Sequence, residues 1–359
     1  MKKLLSRLFF FFILTLVVQG CKKEESFDID NLKEELKADF SADKQRVYLN
    51  QPIQFKNESH GATSYQWTFE GGEPSVSSDE NPKVLYAKDG KYRVSLEVRN
   101  GEENKLAVKE EYITVFSEAC WSEFVYPEII FKNTAANGNG ALYNRLVPSP
   151  DELIHGVCLD VCRLLYMSPE EMDVVEKISY TVEDNDGVSA KGGQPPHISI
   201  VFSSKYLKSC ESKGMSDAEL MAEIKGVLYH EVTHGYQFSP RGAGEYKAGD
   251  DFFGFIEGMA DYVRYLSGYL TTDDRKAGGH WNDGYKNSAF FMDWLHSKDP
   301  SFLYKLNQSA KTINPWSWEK ATQRILNTSV SALWTEYQND LTTGKITEID
   351  QLLKEQREF

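Results

Sequence analysis

Positive charge is in short supply. Across 359 residues, 40 Lys and Arg face 54 Asp and Glu, a formal net charge of −14. A nucleic-acid backbone rewards clustered Lys and Arg, so nucleic acid is excluded as an expected partner. Cysteine is also scarce, at five residues. The two central ones, Cys158 and Cys162, lack the close spacing of a zinc knuckle, which argues against a zinc site built from cysteines. No internal repeat is apparent. Long apolar runs are lacking too: the leader's, Leu8 to Val18, is shorter than the roughly 20 residues of a spanning helix.

That run has a different use. Lys2, Lys3 and Arg7 precede it and Gly20-Cys21 follows, the layout of an export signal over residues 1–20. Val18-Gln19-Gly20-Cys21 resembles a bacterial lipoprotein processing box. The resemblance implies cleavage before Cys21, lipidation of Cys21, and a mature chain tethered to the membrane of the bacterial cell envelope, periplasmic or surface-exposed. Removing residues 1–20 with their three positive charges takes the formal charge from −14 to −17. With Cys21 lipidated, Cys120, Cys158, Cys162 and Cys210 remain, an even number compatible with two disulfides outside the cytoplasm. Cys158 and Cys162 lie four apart on an expected helix, so pairing with Cys120 and Cys210 is expected rather than a mutual bond. Buried free thiols are the alternative.

Residues 21–37 are charged and read as a tether. After them comes an all-β pattern: Ile53 and Phe55 alternate with polar neighbours, and Tyr92, Val94, Leu96 and Val98 do the same, the period of strands with one buried face. Turn residues in 58–64 and 70–81 separate such strands, which predicts a small β-sandwich. SYQWTFEGG at 64–72 and NPKVLYAKDGKYRVSLEVRN at 81–100 resemble the PKD type of immunoglobulin-like domain, over residues 38–116. Trp67 and Tyr92 are expected in its core. The resemblance implies a spacer or adhesive module without a catalytic group.

The composition then turns to short strands mixed with long amphipathic helices, an α+β domain over residues 122–346. A helix is expected over 151–166, and strands over 177–183 and 197–202; the second strand either borders a peptide cleft or is fully internal. Asp184-Asn185-Asp186-Gly187 lacks the remaining ligands of a calcium loop and reads as a turn. Five tryptophans here, Trp281, Trp294, Trp316, Trp318 and Trp334, are spread over several segments and read as core.

Ser216-Asp217-Ala218-Glu219 has capping-box spacing, and Leu220, Ile224, Val227 and Leu228 follow at helical intervals, predicting a helix from about Asp217 to Tyr236. On it stands LYHEVTHGYQ. His230 and His234, one turn apart, can reach one ion while Glu231 approaches its water. Two imidazoles suit zinc if a carboxylate completes the set. Glu257 and Asp261, one turn apart on a second expected helix, are the candidates: Glu257 as third ligand, and Asp261 as hydrogen-bond partner of a ligating histidine.

HEVTHGYQ, FIEGMADYVRYLSGY and HWNDGYKNSAFFMDWL look like the corresponding blocks of the basic secretory protein family, secreted zincin-type peptidases of plants and bacteria. FKNTAANGNGALYN, HISIVFSSKYL and SALWTEYQND agree in order. The resemblance implies an α+β zincin-like metallopeptidase domain following the immunoglobulin-like sandwich. It also implies one catalytic zinc ion on His230 and His234, with Glu231 as general base and Glu257 through Asp261 as the acidic helix. The expected activity is endopeptidase cleavage of extracytoplasmic peptide or protein substrates. Tyr285 is the first candidate to stabilise the oxyanion, against a packed tyrosine that anchors its block, with His280 and Tyr246 behind it against loop or surface roles. The competing expectation is a non-catalytic surface protein binding glycans or host proteins. Against it stands Glu231, a base that a metal-stabilised scaffold does not need. Oligomeric state is not legible.

Overall fold

The computed structural model describes residues 35–346; the leader, Cys21 and the tether as far as residue 34 lie outside the described residues. Two hydrophobic cores divide the chain.

The first core fills a sandwich. One sheet has the order β1-β3-β7-β5 and the other β2-β9-β8-β4-β6. The strands are β1 (Phe40–Ala42), β2 (Arg46–Tyr48), β3 (Ile53–Asn57), β4 (Ser64–Phe69), β5 (Gly72–Glu73), β6 (Val76–Ser77), β7 (Lys83–Tyr86), β8 (Gly90–Asn100) and β9 (Glu103–Phe116). Alternation decides which side chains turn inward: Ile53 and Phe55 of β3, Trp67 and Phe69 of β4, and Val94, Leu96 and Val98 of β8 are all buried. Trp67 packs edge-on to Phe40 and donates its indole N–H to Asp79 O at 2.9 Å, so it is a core residue with its polar handle satisfied. Leu36 also belongs to this core, so ordered packing begins inside the expected tether.

The second core lies between a four-stranded sheet and a layer of helices. The elements are β10 (Glu128–Asn133), α1 (Gly140–Leu146), α2 (Pro150–Leu165), β11 (Lys177–Glu183), β12 (Ser189–Gln194), β13 (His197–Ser203), α3 (Ser204–Ser212), α4 (Asp217–Tyr236), α5 (Asp251–Leu266), α6 (Tyr285–Lys298), α7 (Phe302–Thr312), α8 (Trp318–Leu326) and α9 (Val330–Thr343). The sheet order is β10-β11-β13-β12. The first three strands run parallel, and β12 is antiparallel to β13. Of the two readings of the strand over 197–202, the internal one holds, and the edge belongs to β12. Side chains of β13 alternate across the sheet, and Ile198, Ile200 and Phe202 turn into the domain core.

The expected disulfides are not formed: Cys120, Cys158, Cys162 and Cys210 are free thiols. Cys158 and Cys162 face inward from α2 among apolar side chains, where a thiol packs as a small hydrophobe. Burial pushes the Cys158 thiol up to about 12. Trp294, Trp316 and Trp318 are buried, and Trp281 and Trp334 pack partly buried against the same core. The Asp184–Gly187 segment is a polar turn whose carboxylates bond Asn139, Ser204 and Lys205. Between the two domains, Tyr48 donates to Met167 O at 3.1 Å, and Glu171 takes both Arg46 and the Tyr304 hydroxyl. No helix of the described residues is long and apolar enough to cross a membrane.

Candidate metal centre and active site

α4 begins where its cap dictates. Ser216 Oγ accepts from Glu219 N, and Glu219 reaches back to Ser216 N at 2.7 Å, a reciprocal capping box. The inward face, Leu220, Ile224, Val227 and Leu228, holds the helix in the core. One turn of spacing then brings His230 and His234 onto a common side, their rings 4.6 Å apart between centroids.

α5 returns alongside α4 and supplies the acids. Its close seat against α6 requires Gly258, where an added Cβ would stand 2.4 Å from Ser288 Cβ. Glu257 is 1 % exposed and Asp261 is 4 % exposed. His230 Nε2 lies 3.2 Å from Glu257 Oε2, His234 Nε2 lies 3.5 Å from Glu257 Oε1, and the two Nε2 atoms are 3.0 Å apart. These residues form a group able to hold a metal ion. Ligand atoms about 2.0–2.1 Å from one tetrahedral ion stand roughly 3.3 Å from each other, and the observed separations bracket that value. Glu257 Oε2 is also buried without a hydrogen bond, a polar group that a cation would satisfy. The donor set and its geometry fit a metal.

The outer nitrogens are held as well. His230 Nδ1 lies 2.8 Å from Asp261 Oδ1, which places the proton on Nδ1 and leaves the Nε2 lone pair facing the convergence point. His234 Nδ1 lies 2.9 Å from the Gln237 side-chain amide nitrogen; ligation through Nε2 needs the proton on Nδ1 and hence the amide oxygen on that side, a flip that would also pair the buried Gln237 Oε1. Burial works against a charged His230, but Asp261 and Glu257 outweigh it and push its pKa up to about 9. Burial likewise opposes ionised Glu257, yet the two imidazoles hold it well below the usual carboxylate range.

Glu231, 5 % exposed, stays outside this group. Its Oε1 accepts from Ser189 Oγ of β12 at 2.5 Å. The edge strand therefore orients the candidate base and leaves its second oxygen for a reacting proton.

The three residues expected as oxyanion donors part ways. Tyr285 opens α6 after Gly284, whose φ of +79° suits glycine; a Cβ there would meet Phe253 at 2.5 Å. Tyr285 itself takes φ +43° and lays its ring nearly parallel to His230, centroids 5.9 Å apart. Burial, with the nearby charge of Glu257, pushes its phenol up to about 12, so it remains a donor at neutral pH. Tyr246, from the loop between α4 and α5, hydrogen-bonds Glu257 Oε1. His280 instead bonds Asn282 and packs against Trp281, and it lines neither cavity beside Glu231. Sequence reasoning missed Ser189 and Gln237. Gln237 could have been found by helical spacing, three residues beyond His234. Ser189, 42 positions from Glu231 and on a strand, carries no such signal.

Comparisons with known proteins add to this geometry. A family model described as "BSP: Peptidase of plants and bacteria" matches residues 128–337, and a PKD domain model matches residues 37–110. Among solved structures, the chain is similar to the PKD1 domain of Vibrio anguillarum Epp, with 23 % identity, 23 % of this chain and 98 % of that one covered, and a TM-score of 0.20. It is also similar to an aminopeptidase N family protein from Idiomarina loihiensis, with 11 % identity, 81 % and 58 % covered, and a TM-score of 0.33. The search of curated proteins finds no match.

Proposed function

This chain belongs to the BSP family, the peptidases of plants and bacteria, and from that premise we propose that it is a zinc-dependent endopeptidase acting on extracytoplasmic peptides or proteins. The observation that carries the reading is the convergence of His230, His234 and Glu257 beside a Glu231 that is held apart from them by Ser189. His230, His234 and Glu257 would hold the ion. Zinc, when bound, supplies Lewis acidity, polarising the scissile carbonyl and acidifying the attacking water. Glu231 takes the proton from that water and passes it to the leaving amine. Ser189 keeps the carboxylate aimed through both transfers. Tyr285, protonated at neutral pH, donates to the developing oxyanion. The free side of β12 offers backbone groups to an extended substrate.

The leader supports a lipid anchor at Cys21 and a place in the cell envelope. Metal analysis of the purified mature protein tests the centre: one zinc per chain is expected, and Glu257→Ala should lose stoichiometric binding. Unchanged tight binding in that variant would remove Glu257 from the ligand set.

A further inference from the structure

Two cavities, of about 580 and 440 Å³, adjoin Glu231. The larger is lined by the cations Arg264 and Lys286, and both are neutralised: Arg264 by Glu223 at 3.3 Å and Lys286 by Asp274. The smaller is lined by Lys191 of β12, and its situation differs. Lys191 Nζ donates to Gly193 O at 3.0 Å, and among the described residues no carboxylate lies within ion-pair distance of it. Glu231 and Glu257 border the same cavity, but they are engaged by Ser189 and by the two imidazoles.

The strand places this ammonium with some definition. Side chains two apart on a strand share a face, with a repeat of about 6.6–6.8 Å. Ser189 and Lys191 are such a pair, and Ser189 touches Glu231. Lys191 therefore stands one strand repeat from the serine that holds the candidate base, on the same side, with His234, Gln237 and Ile256 around the cavity. β12 is an edge strand, so a peptide laid along it would carry one of its own side chains past Lys191. Burial lowers the Lys191 pKa while the charge of Glu231 opposes that shift, and a partly buried ammonium with no carboxylate in contact is disfavoured. An anion arriving with the substrate would remove that penalty.

We propose that Lys191 selects peptides carrying a carboxylate about two residues from the scissile bond. The carboxylate has two possible sources. A peptide antiparallel to β12 brings an upstream Asp or Glu side chain there; a parallel one brings a downstream side chain or the terminal carboxylate. The proposal rests on the peptidase reading of the same site, and its test separates the two.

Binding is measured by calorimetry on the zinc-loaded mature chain carrying Glu231→Gln, and cleavage on the chain retaining Glu231. Peptide sets place Asp or Glu against Asn or Gln at each position, with free or amidated C-termini. A charge-assisted contact predicts about tenfold to a hundredfold tighter binding of the acidic member. Lys191→Ala should abolish the difference, Lys191→Arg should keep it, and Lys191→Glu should turn preference toward Lys and Arg. Preference that survives amidation assigns a side chain; preference lost on amidation assigns the chain terminus. No acidic preference, or the same preference in Lys191→Ala, overturns the proposal. Lys191-dependent binding without hydrolysis would uphold it and overturn the peptidase reading. Hydrolysis without Lys191 dependence would do the reverse.

Discussion

Glu231→Gln isolates the chemical role of this carboxylate from its structural surroundings. The replacement keeps the side chain's size, and the amide oxygen can still accept the Ser189 hydroxyl that bonds Glu231 Oε1 at 2.5 Å. His230, His234 and Glu257 are untouched, so zinc content should stay at one per chain. Glu231 is 5 % exposed and has no cationic side chain in ion-pair contact among the described residues, so a neutral amide removes a buried charge and should leave thermal stability level or slightly raised. What an amide cannot do is accept a proton from water at neutral pH. General-base assistance contributes about 10²- to 10⁴-fold, so kcat should fall by that factor, a barrier increase of about 2.7–5.5 kcal/mol. KM should change little, because peptide contacts along β12 are unaltered. The assay is a diverse peptide library sampled by mass spectrometry, with wild type, variant and chelator-treated wild type in parallel, and zinc measured on each. Equal cleavage by wild type and a folded, zinc-loaded variant would refute the reasoning. Loss of activity together with loss of zinc would refute the structural half of it, namely that Glu231 stands outside the ligand set.

Two further outcomes are expected. Asp261→Asn keeps an acceptor 2.8 Å from His230 Nδ1 but removes its charge, and chelator competition should show zinc affinity about 10- to 100-fold weaker; unchanged affinity would make Asp261 a bystander. Cys21→Ser should release the mature protein from membranes or block its processing, and fractionation with mass analysis checks this: an unacylated Cys21 in the processed native protein would overturn the anchor.

Some features were readable because covalent geometry makes them local. Ser216 and Glu219 mark the start of α4, and the structure begins that helix at Asp217. A turn of 3.6 residues puts positions i and i+4 on one side, which is why the pairs His230/His234 and Glu257/Asp261 could be placed before any coordinates. Alternation at Ile53, Phe55, Val94, Leu96 and Val98 announced the sandwich for the same reason: the strand repeat of two is a property of the backbone.

Tertiary packing decided the rest. The thiols of Cys158 and Cys162 were read as bridging partners, yet their helix turns them into an apolar core where they remain free. For the strand over 197–202 the residues left cleft border and internal strand open, because sheet order is a long-range pairing choice; it made that strand internal and gave the edge to β12. From that one choice come Ser189 on Glu231 and Lys191 in the neighbouring cavity. The sequence ranked Tyr285 ahead of Tyr246 and His280 but could place none of them; the backbone of Gly284 turned the first over His230, the loop before α5 carried the second to Glu257, and Asn282 held the third away. Sequence by itself determined which residues share a helical face, because that depends on bonds between near neighbours. Which strand or loop meets that face depends on contacts between distant segments, and only the folded chain settles those.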